Sequence, residues 1–207
     1  MEPTYGLTSD NLPASLPIFP LYGVMVLPGG QLPLNIFEPR YLAMFNDALK
    51  SNRLIGIVQP RAQNSDDLYT IGCAGKIVEF IETADGRYVV ELRGISRYKI
   101  ANEIKATTPY RQVQADWSLF PNDITANNAC LGIDREKLNS LLQRYFKQQG
   151  MDCDWEAITK APDMRIMSCL AMACPFGAAE KQAFLEQTCC HEQAKMFIAM
   201  LEMELYK

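Results

Sequence analysis

A single histidine, two tryptophans and no basic excess leave this chain poorly equipped for several common chemistries. With His191 the one histidine, a histidine-centred metal cluster or histidine–nucleophile pair could form only around that residue, and nowhere in the first half of the chain. General acid–base work would then need two carboxylates held together, and the adjacent Asp66 and Asp67 read as solvated loop residues. There is no G-x-x-x-x-G-K-[ST] phosphate loop. No stretch approaches the roughly 18 apolar residues that span a bilayer. The start, MEPTYGLTSDNLPASLP, lacks the basic and apolar runs of a signal peptide, and the MELYK end carries no lipidation box. A cytoplasmic protein without a membrane partner is expected. Net charge is −4, with both signs scattered along the chain, which disfavours nucleic acid.

The seven cysteines are an odd number and read as reduced thiols rather than a disulfide framework. Their spacing does not suit zinc. Cys189 and Cys190 are adjacent and followed by His191, but three successive helical residues point in different directions. No metal site, cofactor or catalytic residue is assigned. Ser96 and Lys99 lie three apart on one predicted strand, on opposite faces, which argues against a serine–lysine dyad.

What is present divides in two. Up to about Trp117 the apolar pattern has period two, broken by Gly and Pro; beyond about Ile133 it has helical period. The expected units are a β-rich part over residues 1–117, a linker over 118–132 and a helical bundle over 133–207. Leu16–Leu21 contains Pro17 and Pro20, so it is expected at an edge or broken. Gln31–Phe37 reads as a strand with Leu32, Leu34 and Ile36 on one face. Pro39 opens a helix striped by Tyr41, Leu42, Phe45, Ala48 and Leu49. Leu54–Val58 is apolar throughout, as a buried central strand would be.

Cys73–Glu82 and Arg87–Arg93 flank a hairpin turn at Asp85-Gly86. Gly94 marks a bulge or bend, and Ile95–Ile104 and Arg111–Trp117 complete about six strands. So many short strands around one inserted helix predict closure into a small barrel, which removes exposed edges. In the second half Asp134 and Asp154 are predicted N-caps, Ile133 a staple onto Leu138, and Gly150 a helix stop. The last helix runs from about Cys190 to Tyr206.

The opening block LPIFPLYGVMVLPGGQLPLNIFEPRYLAM, then YTIGCAG, DGRY, the Leu92–Tyr98 LxGxxRY run and EKQAFLE resemble, in order, the amino-terminal domain of Lon proteases. The resemblance implies an α+β chain: a PUA-like β pseudo-barrel of about six strands with one inserted helix, followed by a C-terminal helical bundle. It also implies capture of unfolded or tagged substrates. The ATPase and serine–lysine protease of full-length Lon have no counterpart in these residues.

The expected role is therefore a non-catalytic module that binds unfolded or partly folded polypeptides, with a protease or chaperone as candidate partner. The expected substrate-binding set is Glu38, Arg40, Tyr69, Arg87, Tyr88, Arg93, Arg97 and Tyr98. Tyr110 also borders a strand end. Tyrosine and arginine dominate binding hot spots, and a client strand could add to a barrel edge. Against this, each tyrosine could be a wall residue, and Glu38 with Arg40 a solvated pair at a helix start. RNA binding through Arg87, Arg93, Arg97 and Lys99 is the second reading. A small-molecule pocket between barrel and bundle is the third.

Overall fold

The computed structural model describes residues 6–125 and 134–206. Six strands form one sheet: β1 (Ser15–Pro20), β2 (Gln31–Ile36), β3 (Leu54–Pro60), β4 (Leu68–Glu82), β5 (Tyr88–Ile104) and β6 (Gln112–Asp116). The sheet closes on itself, because β6 pairs with both β1 and β5. The ring therefore runs β5-β4-β3-β1-β6 and back to β5, with β2 hung on the first half of β5. Helix α1 (Pro39–Leu49) follows β2, and Pro39 occupies its first turn as expected. Then come α2 (Asn122–Thr125), α3 (Arg135–Gln149), α4 (Trp155–Lys160), α5 (Asp163–Ala173), α6 (Ala178–Glu186) and α7 (Cys190–Leu205).

The long hairpin makes both the ring and something outside it. Between Ala74 and Gly75 the β4–β5 register shifts, leaving Ile95 bulged beside Gly94, and bulges bend and twist a strand. A Cβ on Gly94 would collide with the Leu27 carbonyl oxygen, so the backbone of the Pro28-Gly29-Gly30 turn can lie against it. Gly29 N–H donates to Gly94 O and Gly94 N–H to Gly30 O, both at 2.9 Å. Beyond the bulge the outer halves of β4 and β5, with β2, form a three-stranded arm that leaves the ring.

Two expectations need correction. β1 is internal rather than an edge. Its prolines are tolerated because it changes partner midway: Ser15–Pro17 pair antiparallel with β6, and Ile18–Pro20 parallel with β3. Each proline ends one pairing, and the next N–H groups, of Ile18 and Leu21, donate to Arg111 O and Val58 O. Closure also does not remove every edge. Among the described residues β2 pairs only with β5, and Pro33 sits within it, as a strand with one open side permits.

Packing is organised around two cores. Leu16, Ile18, Leu54, Val58, Val113 and Tyr98 fill the ring. A second cluster is continuous from Phe19, Phe45 and Ile57 to Tyr145, Phe184 and Phe197 on the helices. Asp134 caps α3 and Asp154 caps α4, each accepting a backbone N–H at 2.9 Å. Gly150 ends α3 with φ of 63°. The staple expected from Ile133 lies outside the described residues. Within the segment read as a linker, Asn122–Thr125 form α2. Cys73, Cys153, Cys169, Cys174 and Cys189 are free thiols, but Cys190 is disulfide-bonded, contrary to the expectation of reduced thiols. Adjacent cysteines point apart, so one can pair while its neighbour stays free.

Tyr98 occupies the ring's centre because Gly56 and Gly72 flank its ring. A Cβ on Gly72 would lie 2.6 Å from Ile57 O and 2.8 Å from the Tyr98 hydroxyl; one on Gly56 would meet that hydroxyl and Leu16. The Tyr98 hydroxyl is buried without a hydrogen-bond partner among the described residues. Gly56→Ala is expected to lower unfolding free energy by about 1–3 kcal/mol in urea titrations. Adding Tyr98→Phe should recover part of that loss, since it removes the hydroxyl that the new methyl meets.

Helix α1 is tied to the barrel by Tyr88, whose hydroxyl donates to Asn46 Oδ1 at 3.1 Å, and by Tyr110, whose hydroxyl donates to Asp47 Oδ2 at 2.8 Å. Burial, then the bond to Asp47 and its charge, push the Tyr110 hydroxyl up to about 12 from an ordinary value of about 10. The folded chain thus holds this proton more tightly. Its contribution to stability is complete below about pH 10 and is lost as pH rises through the folded value. Urea midpoints measured across that window should fall with rising pH, and Tyr110→Phe should flatten part of the fall.

Candidate functional site

The expected binding residues do not converge. Glu38 and Arg40 pair with each other at 2.9 Å on the exposed start of α1, an arrangement worth about 0–1 kcal/mol, and the Arg40 guanidinium lies over the Tyr41 ring. Tyr69 is half-buried under the Arg61 guanidinium, at 4.8 Å from its ring centre. Arg87 stands at the hairpin tip, paired with Asp85 at 3.0 Å. Tyr88 is buried, its ring edge-on to Phe80 at 4.8 Å. Tyr98 has no exposed surface and offers nothing to a ligand outside the ring.

Arg97 is the largest departure. It is 6% exposed and serves as a clamp between barrel and helices. Its Nε and Nη2 donate to the two Asp123 carboxylate oxygens at 2.8 and 2.7 Å. Nη1 donates to Leu185 O at 3.1 Å and also to Gln187 O. The backbone N–H of Arg97 donates to Asp123 Oδ2 as well, and Phe120 stacks beneath the guanidinium at 4.2 Å. The basic set proposed for RNA is thereby divided among a hairpin tip (Arg87), a cleft (Arg93), an interior (Arg97) and an exposed strand position (Lys99). Ser96 is buried with its hydroxyl donating to Arg97 O, whereas Lys99 is exposed, so the two lie apart.

Two surfaces stand out instead. The first is the outer face of the arm. Asn35 pairs with Val89 and Val89 with Ile81, so period two places Phe37, Val89 and Ile81 on one face. They are 61%, 44% and 62% exposed. Arg87 reaches over the Phe37 ring at 5.9 Å, and Glu91, bonded to Gln31, borders the patch. Exposed apolar side chains grouped on one face make it a candidate interaction surface. Its signal is legible in FIETADGRYVV, where Phe80-Ile81 and Val89-Val90 put apolar side chains on both faces of the hairpin.

The second is a cleft of about 400 Å³ between the barrel and the helices. One wall is the Gly23–Met25 loop with Gln31, Leu32, Pro33 and Arg93; the other is Arg165, Cys169 and Met172 of α5 with Lys181 of α6. Only Arg93 of the expected set reaches it. The helix side is set by a buried amide network. Gln59 donates to Ala178 O and Gln182 Oε1 at 3.2 and 3.1 Å and accepts from Gly23 N–H, while Gln182 donates to Ile71 O. Nothing in the sequence announces Lys181, whose place depends on how α6 docks. Among the described residues no group of three or more His, Cys, Asp or Glu side chains is placed to hold a metal, and no helix is long and apolar enough to cross a membrane.

Comparison with known proteins gives a consistent result. The family described as the ATP-dependent protease La (LON) substrate-binding domain matches residues 15–203. Lon protease 2 of Myxococcus xanthus is 31% identical over 146 residues, which is 67% of this chain and 17% of that protein. Lon protease of Anaeromyxobacter dehalogenans is 31% identical over 121 residues, 56% of this chain and 14% of that one. The chain thus spans a small fraction of these relatives' length. Among solved structures, a Lon N-terminal domain protein from Xanthomonas campestris has a TM-score of 0.65 at 20% identity, covering 89% of this chain and 97% of that one. The N terminal domain of Mycobacterium avium complex Lon protease also scores 0.65, at 19% identity, covering 91% and 98%. Both share the fold.

Because Arg97 and Asp123 are both buried, with side chains 7% exposed, removing one leaves the other charged and uncompensated. Asp123→Ala is expected to lower unfolding free energy by about 3–5 kcal/mol, read from urea titrations. An exposed pair such as Arg40–Glu38 should lose less than about 1 kcal/mol on the same treatment.

Proposed function

Given that the chain belongs to the Lon substrate-binding domain family, we propose that it captures unfolded or partly folded polypeptides and performs no chemistry on them. The observation that carries this reading is the exposed Phe37–Val89–Ile81 face on a fold whose family match runs through residues 15–203. Unfolded chains differ from native ones in presenting apolar side chains, and an apolar face with a polar border selects for that difference. Strand addition at β2 contributes less than side-chain contact, because Pro33 removes a donor from that edge.

Two of the free thiols among the described residues, Cys73 and Cys174, are buried. Burial pushes the Cys73 thiol up, and burial above all raises Cys174, to about 11. Both are therefore held as unreactive thiols. A cytoplasmic setting goes with the free thiols at five of the six described cysteines, and the disulfide at Cys190 goes against it. A protease or chaperone that takes over the captured chain is the partner this role calls for.

The test compares one client in native and permanently unfolded form by fluorescence anisotropy. The unfolded form should bind and the native form should not. Ile81→Lys combined with Val89→Glu should weaken binding about tenfold or more with little change in thermal unfolding, since both side chains are exposed and the new charges, directly opposite each other in the ladder, are of opposite sign. Equal binding of the two client forms would sink the proposal.

A further inference from the structure

The cleft between β2 and helices α5 and α6 has a chemistry distinct from the arm face. Arg93, Arg165 and Lys181 line it, and among the described residues no Asp or Glu does, although the chain as a whole carries a charge of −4. Arg93 and Arg165 hold contacts of their own. Lys181 is half-buried, and its ammonium donates to the Gly23 carbonyl at 3.1 Å. A neutral carbonyl does not compensate a partly desolvated charge. Burial accordingly lowers the lysine's proton affinity. An arriving carboxylate would supply the missing counter-charge.

The remaining walls decide what carries that carboxylate. Val24, Met25, Leu32, Pro33 and Met172 are apolar, and among the described residues no aromatic side chain lines the cleft. That disfavours nucleic acid, which binds such grooves by stacking bases on aromatic rings. Met172 is partly exposed on the helix wall, and methionine's unbranched, flexible side chain adapts to varied apolar partners. Met172 lies so close over Gly30 that a Cβ there would strike its sulfur, which brings the helix wall onto the turn preceding β2. The volume falls within the range of sites that enclose small ligands and suits a short stretch of peptide.

We propose that this cleft receives an acidic–apolar segment of a client polypeptide, with an Asp or Glu side chain paired to Lys181 and a neighbouring aliphatic side chain against Leu32 and Met172. The inference rests on the polypeptide-capture reading and adds to it a sequence preference that the apolar arm face would not produce.

The test uses short fluorescent peptides with amidated carboxyl ends, alternating Glu and Leu, against Gln–Leu and Lys–Leu counterparts and a Gln–Leu peptide with a free carboxyl end. The Glu–Leu peptide should bind at least about tenfold more tightly than Gln–Leu, with the gap narrowing as salt rises. Lys181→Met should bring Glu–Leu binding down to the level of Gln–Leu in a protein that still unfolds cooperatively, and Lys181→Arg should keep the gap. Equal affinity of Glu–Leu and Gln–Leu for the wild-type protein overturns the inference. So does a gap that survives Lys181→Met, or displacement of Glu–Leu by a mixed RNA oligonucleotide or by inorganic phosphate. Tight binding only of the peptide with the free carboxyl end overturns the side-chain assignment. If the unfolded client binds but no acidic preference exists, this inference alone fails; if the unfolded client does not bind either, the capture reading fails with it.

Discussion

The Arg97 guanidinium is the joint on which the arrangement of this molecule turns. A buried arginine is costly to desolvate, and the exchange is favourable only when its donors meet well-placed acceptors. Here one edge meets Asp123 bidentately, a geometry that fixes orientation as well as distance. The far nitrogen meets the carbonyls of Leu185 and Gln187, where α6 ends. The barrel strand β5, helix α2 and the end of α6 are thereby pinned to one point. Apolar packing alone would tolerate sliding between barrel and helices, because it is non-directional. The clamp and the Gln59–Gln182 network remove that freedom at two places. The position of Lys181 beside Gly23, and with it the cleft, follows from both.

A second constraint acts within the sheet. A ring of five strands has no room for the full length of β4 and β5, which run 15 and 17 residues. The bulge at Ile95 and the collision-free backbone of Gly94 let the hairpin bend, so its inner half closes the ring and its outer half leaves it. The arm therefore has a covered face, where Tyr88, Val90 and Leu92 join the core, and an uncovered one. Its β2 edge pairs with no further strand among the described residues, and Pro33 keeps that strand from recruiting others. The same geometry that closes the barrel thus exposes the apolar face.

Local structure was largely legible because it depends on local chemistry. Pro39, Asp134, Asp154 and Gly150 act within a turn of themselves, and the alternation of Tyr88, Val90 and Leu92 reports one face of one strand. Leu54–Val58 announced its burial by having no polar residue. The prolines of β1 misled, since their meaning depends on which partner each half of the strand meets. Tyr98 and Arg97 misled for a related reason. Tyrosine and arginine are surface-seeking by composition, but two glycines distant in sequence make room for one, and an aspartate 26 residues away neutralises the other. Long-range compensation of this kind leaves no periodic trace. The apolar arm face was readable from consecutive apolar pairs, whereas the cleft was not, because it exists only once α6 has docked.

The two surfaces are joined by β2. Gln31 and Pro33 line the cleft and, by alternation, share the outer face with Asn35 and Phe37. An extended chain advances roughly 3.3 Å per residue, so the distance along β2 from Phe37 to Gln31 is about 20 Å, the reach of a short unfolded segment. A native client cannot lay such a segment along the strand without first giving up its own packing. On the proposed capture reading, discrimination between folded and unfolded chains would need no moving part in this protein. It would follow from requiring one flexible stretch to satisfy an apolar face and a lysine-bearing cleft at the same time.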